Sequence, residues 1–194
     1  MVHKTNKGFL TKTKKHIKGG DWWEPEKNVK NYFRLAPAWD KQGISIFRRV
    51  MHYGLEVDER SRAFPCLEDN EPWLDSVPCP SCHVSQKMKE GNEDERAAGK
   101  ELASGSPRFV CQGVHVNQPE KGIIKYAGPI SFGKYVIGLL EDDDLDDITD
   151  PEDGYDLIIE VSGKGRGTKY DYRIRPKSTK IAYPEWEDHL SNLI

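Results

Sequence analysis

Three of the four cysteines lie close together in the sequence, with a histidine upstream of them. Cys79 and Cys82 are separated by two residues, so one turn of backbone can direct both sulfur atoms at the same ion. Cys66 precedes this pair and can supply a third sulfur. Zinc prefers a tetrahedral shell of cysteine and histidine ligands. The sequence therefore predicts one structural Zn2+ site built on Cys66, Cys79 and Cys82.

The fourth ligand of this site has three candidates. His52 ends a strand-like run and can face a loop from there. His83 directly follows Cys82, so its side chain would have to fold back sharply. Cys111 lies in an apolar run, where a single cysteine is usually a small core residue. We predict His52 as the fourth ligand and keep the other two as alternatives.

Redox chemistry, a disulfide and plain buried thiols are the other interpretations of these cysteines. A redox Cys-x-x-Cys pair normally opens a helix, whereas Pro78 and Pro80 flank Cys79 and predict a turn-rich loop. Disulfides are rare inside cells, and the N-terminus lacks the apolar core of a secretory signal. The sequence favours a metal over all three.

The same stretch imitates the signature of a zinc-dependent nucleobase deaminase. In that signature a glutamate two residues after a ligand moves protons, and zinc-bound water attacks the base. Glu68 would take this role after Cys66 and ahead of Cys79 and Cys82. The two halves are too close in sequence for the elements that separate them in a deaminase, and a fourth protein ligand would displace the water. Catalysis by Glu68 is therefore a remote alternative, and we expect that the protein is not an enzyme.

The elements that position these residues are mostly strands. Alternating or apolar runs predict six of them: Tyr32–Leu35, Ile44–Tyr53, Phe109–Val116, Gly122–Tyr126, Tyr155–Ser162 and Thr168–Arg175. Pro129–Leu140 has the spacing of a short helix with one apolar face. Residues 54–82 contain four prolines and predict a long loop that a metal would stabilise. Gln86–Leu102 predicts a solvent-facing helical excursion interrupted by glycines.

These elements indicate a mainly β fold with a short helix. The architecture predicted is an OB-fold, a five-stranded Greek-key barrel, with an inserted zinc-binding subdomain, although other all-β sandwiches and barrels fit the same periodicity. We expect a basic N-terminal arm over 1–30, the core over 31–180 with the zinc subdomain at about 52–105, and a short tail over 181–194, in which Pro184–Ile194 would form one short amphipathic helix. For Trp22-Trp23, at the arm boundary, core packing is the favoured interpretation.

Charges are segregated along the chain, although its net charge is only −3. Residues 1–20 carry six lysines and no acid, and residues 164–180 carry seven basic residues and one acid. Between them, residues 141–156 hold ten acids and no base. Such blocks point to a polyanion as partner of the basic parts. No run approaches the length of a membrane span.

Aromatic and basic residues also interleave in the second half of the chain. Single-stranded nucleic acid is held by such sets, because cations follow the phosphates while aromatic faces stack on bases. The glycine-rich turn Gly163–Gly167 lies between strands with no helix following, so it fits a phosphate clamp or an ordinary turn rather than a nucleotide-binding loop. Trp73 is a weaker stacking candidate. The predicted contact residues are Arg48, Arg108, Phe109, Lys125, Tyr126, Lys134, Lys164, Arg166, Lys169, Tyr170, Tyr172 and Arg173.

The order of the motifs carries a resemblance to a known family. The motifs are Phe33-Arg34-Leu35-Ala36-Pro37, Val50-Met51-His52-Tyr53-Gly54, Cys66, Cys79-Pro80-Ser81-Cys82, the strand Phe109–Val116, Lys125-Tyr126 and Phe132-Gly133-Lys134. Over about residues 32–175 the chain resembles the single-stranded DNA-binding (helix-destabilising) proteins of T-even-like bacteriophages. The resemblance implies an OB-fold core, a structural zinc on His52, Cys66, Cys79 and Cys82, and DNA binding without sequence preference during replication, recombination and repair.

The same resemblance implies partners and a location. Binding would be cooperative along DNA through a basic segment, for which Lys12, Lys14 and Lys15 are the counterpart, in the cytoplasm of an infected bacterium. Phage replication or recombination proteins would be further partners. The family's long acidic tail has no counterpart before Ile194, so we hypothesise that the block Glu141–Asp156 takes over its role. The alternative function is a zinc-ribbon adaptor that binds a protein through this block and Trp22-Trp23.

Overall fold

A computed structural model describes the chain from residue 22 to residue 193, except residues 40–42, 44, 58–59, 69–76, 104, 106 and 192. For residues 53–57, 60–63 and 166 it describes the backbone alone. The predicted cooperativity residues Lys12, Lys14 and Lys15 and the stacking candidate Trp73 lie outside the described residues.

Strands dominate the described part of the chain. They are β1 (Trp22–Trp23), β2 (Lys30–Leu35), β3 (Ile46–Arg49), β4 (Met51–Val57), β5 (Arg60–Pro65), β6 (Arg108–His115), β7 (Ile123–Gly128), β8 (Tyr155–Ser162) and β9 (Lys169–Ser178). The α-helices are α1 (Pro80–Lys89), α2 (Glu93–Leu102) and α3 (Ile130–Leu140). Short 3-10 helices cover Pro119–Lys121, Gly165–Gly167 and Trp186–His189.

Seven strands form one mixed sheet in the order β1-β7-β6-β2-β8-β9, with β3 also paired to β6. The pairs are antiparallel except β1 with β7, which is parallel. β2 and β3 pair one after the other with the same edge of β6. Leu35, at the end of β2, lies opposite Gly113, and Ile46, at the start of β3, lies opposite Cys111. Strands β4 and β5 pair only with each other in the described chain.

The main core lies on one face of this sheet, where alternate strand residues point inward. Phe33 and Leu35 of β2 and Leu157 and Ile159 of β8 are buried there. Helix α3 covers this face with Phe132 and Val136 among its buried residues. A Cβ on Gly133 would collide with the ring of Phe109, so glycine at this position lets the helix approach β6 closely. The core therefore fixes α3 against the starts of β6 and β9.

The mainly β fold and the helix over Pro129–Leu140 are confirmed. The five-stranded barrel is not confirmed, because the sheet has seven strands and β7 does not pair with β9 within the described residues. The prediction of a loop over residues 54–82 is wrong, since β5 lies inside it. The helical excursion begins earlier than predicted, at Pro80, and Gly99 lies within α2 instead of ending it.

The segment from Trp22 to Lys30, assigned to the basic arm by the sequence, contacts the sheet at both of its ends. Trp22 and Trp23 pair with Lys125 and Tyr126 of β7, and Lys27 forms a bridge with Val161 of β8. The Trp23 ring stacks on Phe33 at 5.3 Å and meets Tyr126 edge-on at 5.3 Å. Core packing therefore holds for Trp23, whereas Trp22 is 42 % exposed.

At the end of the chain a 3-10 helix over Trp186–His189 replaces the predicted amphipathic helix. The acidic block forms turns between α3 and β8. Arg34, which is fully buried in β2, holds these turns by donating hydrogen bonds to the carbonyl oxygens of Ile148 and Asp150.

Candidate metal centre and aromatic cleft

Four elements bring His52 and three cysteines together. His52 lies on β4, opposite Phe64 of β5, and Cys66 directly follows β5. The amide of Cys66 donates to the carbonyl of Val50 at 2.9 Å, which fixes the chain where it leaves the hairpin. Cys79 is the N-cap of α1, and Cys82 lies in its first turn. We call β4, β5, α1 and α2 the metal module.

The distances between the four side chains fit one metal ion. His52 Nε2 lies 3.3 Å from Cys79 Sγ and 3.5 Å from Cys82 Sγ, and the sulfur atoms of Cys66 and Cys82 are 3.6 Å apart. A tetrahedral ion with bonds of about 2.3 Å to sulfur and 2.0–2.1 Å to nitrogen separates two sulfurs by about 3.8 Å and nitrogen from sulfur by about 3.5 Å. All four ligand atoms lie within 4.8 Å of one another. The cluster could therefore hold a metal ion.

A second contact orients the imidazole of His52. Its Nδ1 lies 3.0 Å from the carbonyl oxygen of Leu102, the last residue of α2. The Nδ1–H donates there, which leaves the lone pair of Nε2 facing the sulfur atoms. Histidine ligands usually make such a hydrogen bond, because it fixes the tautomer and the ring plane. The end of α2 therefore contributes to the centre without supplying a ligand atom.

A hydrogen bond between the two helices of the module and a capping box within α2 stabilise this part of the structure. Ser85 of α1 is buried and donates to the carbonyl of Gly99 in α2 at 2.7 Å. Asn92 caps α2 in a reciprocal capping box with Glu95. A Cβ on Gly99 would come within 2.9 Å of the Ser85 carbonyl oxygen and of Met88, so the close approach of the helices requires glycine.

The electrostatics of the cysteines differ. Burial acts to raise the pKa of Cys79, but backbone amides of Cys82, Leu67 and Ser81 hydrogen-bond its sulfur and lower the pKa to about 6. Burial and the neighbouring sulfur of Cys66 raise the pKa of Cys82 to about 12. Without a cation, Cys79 thus ionises at lower pH than Cys82. A divalent ion offsets the repulsion between additional thiolates.

The geometry decides between the candidates for the fourth position. Among the described residues, His52 is the one that joins the three cysteines, while His83 is exposed and Cys111 lies in the main core, where burial raises its pKa. One argument against redox chemistry was wrong, because the Cys-x-x-Cys pair does open a helix. Pro80 occupies the first turn of α1, where proline is favoured and lacks only a hydrogen bond that the helix does not use.

The second candidate site begins with a row of three half-buried tyrosines. Tyr170 and Tyr172 of β9 stack with ring centroids 6.2 Å apart, and Tyr172 stacks on Tyr135 of α3 at 5.7 Å. The hydroxyl groups of Tyr172 and Ser131 are 3.4 Å apart. Burial raises the pKa of Tyr172 to about 12, so its phenol stays neutral. We call Tyr135, Tyr172 and Tyr170 the tyrosine row.

A cavity of about 350 Å³ adjoins one end of this row. Its walls come from β1 and the segment after it, from the start of β6, from β7 and from β9. We call it the Trp22 cavity. Its lining includes Trp22, Glu24, Lys27, Arg108, Thr168 and Tyr170. Two further cavities share residues with it. One of about 390 Å³ reaches Arg49 and Met51, and one of about 470 Å³ reaches Ser162 and Lys169.

The predicted cations have different surroundings. Arg108 lines two of the cavities, and its charge acts on the phenols of Tyr126 and Tyr172. Lys134 is exposed on α3, next to Tyr135. Lys164 is exposed at the β8–β9 turn, and the side chain of Arg166 lies outside the described residues.

Four other predicted cations lie less directly at the tyrosine row. Lys169 and Arg173 are exposed and alternate along β9 with Tyr170 and Tyr172. Their side chains therefore point to the opposite face of the strand from the tyrosine rings. Arg173 also forms ion pairs with Glu160 and with Asp171. Arg48, which is half-buried, lies opposite Phe109 in the register of β3 and β6. Lys125 is half-buried opposite Trp22.

Two predicted stacking residues belong to the core. Tyr126 is only 3 % exposed, and its ring packs edge-on against Phe132 at 4.8 Å and against Trp23, so the prediction that it stacks on a base is wrong. Phe109 is half-buried and packs over Gly133 of α3. The pairs Lys125-Tyr126 and Arg108-Phe109 have the interleaved pattern, but strand alternation places their rings on the core face.

The sequence prediction omitted Tyr135, Trp22 and Lys27. Tyr135 follows Lys134, so the interleaving signal was present, but the same tyrosine also fits the apolar face of a helix. Trp22 and Lys27 lie at the cleft because of a parallel pairing with β7 and a bridge to β8, which no local pattern predicts. No local sequence signal identifies the Leu102 carbonyl as the hydrogen-bond partner of His52 either, since every residue has a backbone carbonyl.

Comparisons of the chain with models of known protein families and with curated proteins give no match. None of the helices in the described ranges is both long and apolar enough to cross a membrane.

Proposed function

We propose that this protein binds single-stranded DNA without sequence preference and coats it during phage replication, recombination and repair. The tyrosine row supplies faces for bases, and Arg108 and Lys134 meet phosphates beside it. The exposed Lys164 and Lys169 extend the positive surface at the β8–β9 turn. In this proposal the metal module is structural, and the protein has no enzymatic activity.

The observation that carries the proposal is the tyrosine row beside Arg108. Three stacked aromatic rings that stay half-exposed next to a cation and an open cleft are the arrangement that single strands use. Stacking of a base on an aromatic ring contributes about 1–3 kcal/mol and tolerates any base, because every base has a π-face. Tyrosine is suited to such a position, since its ring packs on the core while its hydroxyl reaches water.

The strand pairing supports an OB-type barrel for the core. If β2 and β3 count as one interrupted strand, four of the five strand pairs of a Greek-key barrel are present. The interrupted strand pairs with β6 and with β8, β6 pairs with β7, and β8 pairs with β9. Helix α3 lies between the third and fourth of these strands, and the segment 22–28 spans the gap between β7 and β8. OB-folds bind oligonucleotides on their second and third strands and on two loops.

Those positions correspond to the cleft. The second and third strands are β6 and β7, which carry Arg108 and Ala127 of the Trp22 cavity. The loop between the first two strands is the metal module, and the loop between the last two is the β8–β9 turn. The neighbouring cavities reach Met51 at the start of the module and Ser162 at that turn. The strand path we propose runs between the two loops, past the tyrosine row.

We assign zinc to the metal centre. Three sulfurs and one imidazole are the ligand set that structural zinc sites use, and four protein ligands leave no place for a reactive water. The buried location of Cys66 and Cys79 and the hydrogen bonds to the Cys79 sulfur fit a structural ion. This weighs against the deaminase hypothesis, in which Glu68 would need water on the metal.

Cooperative assembly is part of the proposal. Lys12, Lys14 and Lys15 would contact a neighbouring copy on the same strand, and the acidic block Glu141–Asp156 would recruit replication or recombination proteins. The site of action would be the cytoplasm of the infected bacterium. The argument for these roles is the segregation of charge in the sequence and its resemblance to the phage family.

The test is a titration of fluorescent oligothymidylate and of a duplex of the same length with metal-replete protein at two salt concentrations. We expect tight binding to the single strand, weaker binding to the duplex, and a log-log salt slope near −0.7 for each phosphate neutralised. Equal affinity for the two forms would refute the proposal.

A specific observation favours the adaptor alternative. Four large apolar side chains near the metal ligands are 38–45 % exposed: Phe64, Leu67, Val77 and Val84. Each lies within two residues of a cysteine ligand, and the amide of Val77 donates to the carbonyl of Leu67 at 3.3 Å. Exposed apolar patches mark protein contacts. The adaptor would bind its partner through this surface instead of Trp22-Trp23, and its affinity would not require a polyanion.

A further inference from the structure

Trp22 has no place in the core, in contrast to Trp23. Its backbone pairs with β7, but 42 % of its surface is exposed, and among the described residues it stacks on no other ring. A ligand that covered this indole would gain free energy, since burial of apolar surface contributes about 25 cal/mol per Å². The cavity that Trp22 lines is the candidate for that ligand.

The size of the Trp22 cavity limits its occupant. The volume of about 350 Å³ lies near the lower end of the range for small-molecule sites, about 300–1,000 Å³. The cavity therefore fits one base with its sugar and not several nucleotides. Tyr170 lines it as the last member of the tyrosine row. A strand that stacks on Tyr135, Tyr172 and Tyr170 in turn therefore reaches this cavity next.

The charges on the lining favour an anionic ligand with a flat ring. Lys27 and Arg108 supply two cations, and Glu24 is the one acid among the described residues of the lining. Phosphate is expected at the two cations and away from Glu24. Trp22 and Tyr170 supply the aromatic surfaces, and Thr168 adds a polar side chain. Aromatic surfaces and cations together are what a single nucleotide unit requires.

We infer that the Trp22 cavity takes one unstacked base of the bound single strand, with Trp22 as its stacking surface and Lys27 and Arg108 on the adjoining phosphate. This inference rests on the proposed function and extends it to a residue outside the region of family resemblance. The segment 22–28 thereby acts as one wall of the DNA site in addition to closing the gap between β7 and β8.

The experiment measures the affinity of metal-replete protein for fluorescent oligothymidylate with Trp22→Ala, Trp22→Phe and Trp186→Ala. Trp186→Ala is the matched control, because Trp186 lies in the 3-10 helix Trp186–His189 and lines none of the three cavities. We expect Trp22→Ala to weaken binding about fivefold or more, the loss of one stacked base, while Trp22→Phe restores most of the affinity. In the wild type, a strand carrying 5-iodouracil should photocross-link to Trp22.

Thermal melting shows whether each variant is folded at the assay temperature. If Trp22→Ala is not folded at that temperature, Trp22→Leu takes its place in the assay, since leucine keeps apolar bulk but offers no ring. If Trp22→Ala binds like Trp186→Ala while Tyr172→Ala weakens binding, the cavity inference is wrong and the proposed function stands. If the wild type does not prefer single strands, the proposed function fails and the inference fails with it.

Discussion

The metal module and the seven-stranded sheet hold their structures in different ways. The sheet has a core of eleven buried residues that includes Phe33, Phe132 and Ile159. Among the described residues, the corresponding cluster in the module consists of Val50, Cys66 and Cys79 with the half-buried Cys82, so three of its four members are candidate metal ligands. Among its described side chains this cluster is small, so we expect the module to depend on an ion where the sheet depends on the hydrophobic effect.

The two regions also differ in where their polar groups point. In the module, His52 and the cysteine sulfurs face each other, and the backbone amides around Cys79 face its sulfur. At the sheet, Tyr170, Tyr172 and Arg108 stay partly exposed beside open cavities. Groups that satisfy one another contribute to the fold, whereas partly exposed groups beside a cavity stay available to a ligand. This difference predicts that DNA binding and metal binding can be separated by mutation.

Removing the metal is the change with the largest expected effect. A chelator or Cys79→Ser should unfold the module, because structural zinc contributes on the order of 10–16 kcal/mol in small zinc domains. The helical circular dichroism of α1 and α2 should fall and the melting temperature should drop, while the sheet persists. Metal content by mass spectrometry should fall from one ion per chain to none.

The matched control is Cys111→Ala, which removes a cysteine from the sheet core and not from the metal centre. It should lower stability through a small cavity but keep one ion per chain. An unchanged melting temperature in Cys79→Ser would contradict the difference between the regions.

A core substitution under the cleft should give the next largest effect. Tyr126→Ala removes a ring that packs against Trp23 and Phe132, so we expect it to cost about 3–5 kcal/mol in the free energy of unfolding. Tyr126→Phe keeps the ring and should leave both stability and DNA affinity nearly unchanged. Denaturant unfolding and DNA titration of both variants check this. A loss of affinity in Tyr126→Phe at unchanged stability would restore Tyr126 as a contact residue.

The sequence predicted the metal centre better than the cleft, for physical reasons. A metal site depends on a few residue types that can all be named, and three cysteines with a histidine at the end of a strand suffice to propose it. The error concerned the local backbone: Pro80 suggested a loop, yet proline is favoured in the first turn of a helix. The four residues of the cluster were thus predicted although the helix that presents two of them was not.

The cleft depends on strand faces and on pairing between distant segments. An error of one residue in the face of a strand exchanges a core ring for an exposed one, as happened with Tyr126. The strand β8 and the helix α3 were predicted nearly to their limits, β6 was displaced by one residue, and β9 continues three residues beyond its predicted end. The pairing of Trp22 with β7 could not, because a parallel contact between residues about one hundred positions apart leaves no local periodicity.

The tyrosine row itself gives a smaller effect on DNA than the metal gives on stability. Tyr172→Ala removes the central ring between Tyr170 and Tyr135 and should weaken single-strand binding by about 1–3 kcal/mol. Tyr172→Phe keeps the ring and should bind nearly as the wild type does. Titrations with oligothymidylate measure both, with metal content as the check that the module is intact. Equal affinities for Tyr172→Ala and wild type would move the DNA site away from the row.

The smallest expected effect distinguishes an available cation from one that is already paired. Arg108→Gln should reduce the log-log salt slope by about 0.7, the contribution of one phosphate on a single strand. Arg173→Gln should change the slope far less, because Arg173 pairs with Glu160 and Asp171 on the opposite face of β9 from the tyrosines. The two variants remove the same charge, so any difference between their slopes reports position and pairing alone. If both slopes fall equally, the phosphates follow the outer face of the β8–β9 hairpin, and the path past the tyrosine row is wrong.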